Sequence, residues 1–155
     1  MFTSREAIFE ALFNLLCGTK PPSYLGGTWN YQSRDLLPWE RVEVANQPAL
    51  FVFQTPQHAT MDTFGLTQWK LGAAAMVYYR RDEISDPSVP WDEAVNDTLD
   101  ILESAINPFP GQTQTLGGLV LHTYIDGAVV FDSGRLDPQA FILVPITMVL
   151  GAFGA

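Results

Sequence analysis

The stretch LHTYIDGAVVFDSG, residues 121–134, gathers groups able to do acid–base and nucleophilic chemistry: His122, Asp126, Asp132 and Ser133. A histidine beside a carboxylate and a hydroxyl is the material of a hydrolase, in which the imidazole takes the hydroxyl proton and the carboxylate orients the ring. The spacing argues against it. With His122 in a strand, Asp126 lies about 13 Å further along, out of hydrogen-bond reach unless the chain turns back. Ser133, in FDSGR, lacks the first glycine and the strand-to-helix setting of a nucleophile elbow. The stretch reads instead as a β-hairpin: a strand near 118–125, a turn at Asp126-Gly127 and a shorter strand near 128–132. His122 is then a strand residue on the face shared with Val120 and Tyr124. A small hydrolase would have only His122, Asp126 and Asp132 as nominees.

Metal and phosphate chemistry find less. His58 stands alone in a polar loop, and no His, Asp or Glu set has the close spacing of a zinc motif or a calcium loop. GQTQTLGG lacks the lysine and terminal Ser/Thr of a phosphate-binding loop. No cofactor or metal is expected.

A charge pattern says more. Glu93, Asp97, Asp100 and Glu103 recur at helical spacing opposite the apolar residues Val95, Leu99, Leu102 and Ile106, and no Lys or Arg offsets them. Such a face is solvated, meets a basic surface, or lines a channel that carries DNA. Arg80 and Arg81 are the candidate basic counterpart in a neighbouring subunit, as a head-to-tail ring would use. Trp29, Trp39, Trp69 and Trp91 are more than one small core needs to hide, and Trp39 and Trp91 sit beside prolines, as interface tryptophans would, although each one taken singly fits a partly buried core position better. Trp39 and His58 complete the candidate interface or channel-lining positions.

The elements that position these residues follow from pattern. Thr3-Ser4-Arg5-Glu6 is a capping box, with the Thr3 hydroxyl and the Glu6 carboxylate exchanging bonds. The helix it opens runs over 4–17 on the stripe Ile8, Leu12, Leu15 and Leu16, with Phe9 and Phe13 widening it and Gly18 as its cap. Residues 19–27 are loop and TWNYQSR is a strand. PALFVFQ, 48–54, is a buried strand, and Gln57–Thr63 reads as loop. Residues 64–80 make a long strand. Pro90, Asp92 and Glu93 open a second helix that Asn107-Pro108 stops. A last strand spans 139–149, where Pro145 signals an edge or a bulge. This order is that of an α+β two-layer sandwich: a mostly antiparallel or mixed sheet with two helices on one face.

The whole chain sets the outer limits. At 155 residues, with 47% hydrophobic and 16% charged residues, it forms one domain, 1–155, burying roughly 70% of its unfolded surface. Cys17 is the only cysteine, so no disulfide framework forms within one chain, which fits a reducing compartment. Met1–Cys17 is interrupted by Glu6, Glu10 and Asn14 and has no signal cleavage site. No apolar run reaches the ~20 residues of a membrane span, so a soluble protein is expected. The net charge of −9 is the wrong sign for phosphate neutralisation. Acidity does suit a channel through which DNA slides without sticking.

Several stretches together resemble the tail terminator proteins of tailed bacteriophages: REAIFEALFNLL, QPALFVFQ, the W-x-L-x-A-x-x-x-V-Y-Y strand at 69–79, NDTLDILESAINP, and LGGLVLHTYIDG followed by a short strand and QAFILVPITMVL. The resemblance covers most of the chain and its motifs are structural. It implies a six-fold ring on the last ring of the tail tube that halts polymerisation and offers the docking surface for the filled head. Its partners would be copies of itself, the tail tube protein and a head-completion or connector protein, with DNA passing through unread and no membrane. It implies no catalysis, assembly in the bacterial cytoplasm and a place in the virion at the neck-proximal end of the tail. A head–tail connector or another minor tail protein is the nearest alternative.

Overall fold

The computed structural model describes residues 4–61, 63–132 and 134–151. Helix α1 spans Arg5–Cys17 and α2 spans Trp91–Ile106. The strands are β1 Tyr31–Ser33, β2 Ala49–Met61, β3 Thr67–Arg80, β4 His122–Ile125, β5 Val130–Phe131 and β6 Gln139–Val149. They form one six-stranded sheet in the order β1-β2-β3-β6-β4, with β5 also paired to β6. Only β1 and β2 run parallel; all other pairs are antiparallel. The expected α+β architecture with a mixed sheet and two helices on one face is what forms.

Period-two alternation decides which face the helices cover. Leu71, Ala73, Ala75, Val77 and Tyr79 of β3 and the even residues Ala140–Met148 of β6 point into one core with Ile8, Leu12 and Leu16 of α1 and Val95, Leu102 and Ile106 of α2. Tyr79 sits at its centre, its ring against Trp29 and Trp91 at centroid distances of 6.2 and 6.0 Å, its hydroxyl 2.9 Å from Thr98 Oγ1. On the opposite face a smaller cluster of Val42, Ala49, Phe51 and Tyr78 is roofed by Leu37 and Trp39.

Helix α1 begins one residue later than expected. Its cap is Ser4, whose hydroxyl accepts from the Ala7 amide at 3.4 Å, while Thr3 lies outside the described residues. The Glu6 carboxylate is ion-paired with Arg34, which holds it below the usual carboxylate range. Gly18 does follow the helix, in ordinary right-handed geometry. Helix α2 starts directly after Pro90 and ends at Asn107, matching the sequence signals.

The segment Gln57–Met61, expected as loop, is strand. It pairs with Thr67–Lys70 as a two-stranded arm running past the end of β6, whose first partner on β3 is Lys70. Both faces of such a ribbon meet solvent, so the apolar alternation that marks a strand in sequence is missing. A bulge between Thr55 and His58 lets β2 bend at its base. Gly72 fits there because a Cβ would stand 2.6 Å from the Pro56 carbonyl oxygen and against Thr55 Oγ1.

The hairpin expected at Asp126-Gly127 does not form. β4 and β5 both pair with β6, successively along the same edge: His122–Ile125 against Val149–Ile146, then Val130–Phe131 against Leu143–Ile142. The chain steps out between them and returns. The cause is Pro145, the bulge signal in β6. The Asp126 amide donates to the Pro145 carbonyl at 3.1 Å, but proline has no N–H for the return bond, and the ladder breaks there. Gly127, at φ 112°, makes the step.

Candidate interaction surfaces

Helix α2 carries its acidic residues as the spacing requires, but not as one equivalent row. Glu93, Asp100 and Glu103 are exposed. Asp97 is partly buried and accepts a 2.6 Å hydrogen bond from the Tyr24 hydroxyl. Burial, with the Asp97 carboxylate beside it, keeps that phenol protonated well above its ordinary range. Asp97 is therefore a tie between α2 and the turn at 23–25, and the outward charge belongs to the other three together with Asp92.

The basic pair is engaged within its own chain. Arg80 makes two bonds to Asp82, at 3.0 and 2.9 Å, which lower the carboxyl and raise the guanidinium. Arg81 stands 3.9 Å from Asp137 and lies over the Trp91 ring at 5.7 Å. The tryptophans are likewise absorbed. Trp29 and Trp91 are buried, Trp39 and Trp69 are half-buried, and Arg5 lies over Trp69 at 4.5 Å. Trp91 owes its position to an Nε1 bond to the Asp132 carbonyl at 2.9 Å. A flat indole with one donor packs a core edge as readily as an interface, so the count of tryptophans gave no exposed ones.

The hydrolase nominees engage separate partners. His122 Nδ1 accepts from the Gln114 amide at 3.1 Å. The Asp126 carboxylate accepts from Thr147 Oγ1 at 3.2 Å, and that of Asp132 accepts from the Gly134 and Arg135 amides at 3.0 and 3.2 Å. Ser133 lies outside the described residues. None of these bonds links two of the nominated groups. Among the described residues no three His, Cys, Asp or Glu side chains gather as a metal would need, and no helix is long and apolar enough to cross a membrane.

Sequence reasoning missed two surfaces. The β2–β3 arm carries exposed apolar side chains near its tip, Met61 at 76%, Phe64 at 89% and Leu66 at 44% exposure. At its base, on the sheet face away from the helices, lies a groove of about 390 Å³. Its floor is Gly72, Ala74, Leu143 and Pro145, and its rim holds His58, Lys70 and Asp126. His58, placed in a loop from sequence, is thus on a strand beside that groove. The available signal was the run from Thr55 to Trp69, which in so acidic a chain holds one carboxylate, Asp62.

These features define an open α+β sandwich that presents an acidic helix face, an apolar-tipped arm and a shallow apolar groove. No family description and no curated protein matches the sequence. The fold is shared with a solved chain described as "Virion of native gene transfer agent (GTA) particle", with a TM-score of 0.53 and 11% identity over 97% of this chain and 100% of that one.

Proposed function

We propose that this protein is a structural, non-catalytic component of a phage-like virion, and within it a tail terminator: a single domain that closes the tail tube as a six-membered ring, stops its growth and receives the head. The observation that carries the reading is the end-to-end fold likeness to a virion chain, covering 97% of one and 100% of the other. The resemblance of its helices and strands to tail terminators supports the narrower role. In the ring, the exposed carboxylates Glu93, Asp100 and Glu103 border the channel and repel phosphate, so that DNA passes without adhering.

Negative-stain electron microscopy of the protein alone and mixed with tail tubes tests this. Six-membered rings, or caps on one end of each tube, are the expected result. Particles that stay monomeric and ignore the tubes overturn it. The word virion fits a head–tail connector equally, and binding to an isolated head portal in place of tube ends would shift the assignment to that role.

A further inference from the structure

The arm and the groove are complementary surfaces that one molecule cannot bring together. The groove lies at the arm's base, lined by Thr55, Pro56 and His58, whereas the apolar tip begins at Met61. Pro56 to Met61 is five residues of strand, about 17 Å. The ladder from His58–Lys70 to Met61–Thr67 holds the arm extended, so the tip is carried away from its own groove.

We infer that the tip of one copy, Met61, Phe64 and Leu66, seats in the groove of the next copy, on Ala74, Leu143 and Pro145. The ring proposed above supplies a second copy as the occupant, and charge decides where that copy can touch. Two chains of net charge −9 repel, so a contact between them belongs where carboxylates are scarce. From Thr55 to Trp69 there is one, and the groove offers Lys70 and His58 against Asp126, whose carboxylate is already bonded by Thr147. Apolar tip on apolar floor then supplies the attraction. Because the two patches differ, the contact is head-to-tail, the kind that closes into a ring when the rotation per subunit allows. The inference rests on the ring proposed above and names the surfaces that join its subunits.

The test uses two full-length variants in a Cys17→Ser background, Phe64→Cys and Ala128→Cys, the latter on an exposed residue lining the groove. One carries a small tag so that mixed and homotypic dimers separate by size. Incubated with tail tubes and a short bis-maleimide, an equimolar mixture should yield mixed dimer in several-fold excess over either homodimer. In parallel, Phe64→Asp should lose rings and caps while keeping the parent's circular dichroism and melting. Phe109→Asp, at another exposed phenylalanine elsewhere, should keep both. Caps or rings that persist in Phe64→Asp, without mixed cross-links, overturn the arm-to-groove contact and leave the ring standing. If the parent protein itself forms neither rings nor caps, the ring falls and this contact with it.

Discussion

Tyr24 donates its phenol hydrogen to Asp97 Oδ2 across 2.6 Å, joining the turn at 23–25 to the middle of α2 from 73 residues away. A hydrogen bond to a carboxylate at a partly buried site contributes about 1 kcal/mol once solvent screening is allowed for. Tyr24→Phe should therefore lower the urea midpoint by that equivalent without changing the slope of the transition.

The same tie separates structure from charge on α2. Asp100→Lys with Glu103→Lys should leave melting within about 0.5 kcal/mol of the parent, as substitutions of exposed residues do. If these carboxylates border a DNA channel, virions carrying both changes should assemble intact tails yet eject DNA poorly, read as plaque titre against particle count. Adding Asp97→Lys would confound the measurement by breaking the Tyr24 bond.

Alkaline pH should destabilise the fold. Burial raises the phenols of Tyr24, Tyr78 and Tyr79 above their ordinary value of about 10. Between the unfolded and folded values the unfolded chain loses these protons first. Stability is therefore full below about pH 10 and falls as pH rises beyond it. Melting curves from pH 8 to 11 should show that decline, with a shallower slope in Tyr79→Phe. At neutral pH that variant should also lose about 1–2 kcal/mol, because the buried Thr98 hydroxyl is left without its partner.

Cys17 should be a slow thiol. Burial pushes it up to about 11, so at pH 8 about one molecule in a thousand carries the thiolate. Reaction with a disulfide reagent should speed up about tenfold per pH unit towards pH 11. A fast reaction at pH 8 would mean that the α1 C-terminus opens readily.

Gly72→Ala should cost about 1–3 kcal/mol, since its methyl group would stand 2.6 Å from the Pro56 carbonyl oxygen and against Thr55 Oγ1. Loss of protection at the amides of Thr67–Trp69 in hydrogen exchange would show that the arm loosens with it.

What could be read from the chain was whatever the helix-covered core writes into the sequence. The boundaries of β6, Gln139–Val149, and the stop of α2 before Pro108 follow from apolar alternation and from proline, and both match. The far half of β2 was hidden because a strand with solvent on both faces has no apolar period. At Asp126-Gly127 the turn chemistry was right and the topology wrong. The glycine does turn the chain, but Pro145, 18 residues on, decides that it rejoins the same neighbour. Tyr24–Asp97 and the groove are assembled from distant segments, and one sequence without the fold cannot bring them together. The tryptophans found cover inside, as each taken singly suggested, and only their number pointed outward.

The break that Pro145 imposes on the β4–β5 margin also bears on how many molecules a growing assembly admits. An unbroken outer strand is an adhesive rail on which any extended peptide can lie down, and sheets that offer one are prone to stack without limit into fibres. Here the rail is four residues, a step, and two residues more. Too short to recruit strangers, it is compatible with the ring proposed above, whose side-chain contacts would stop when the circle is full.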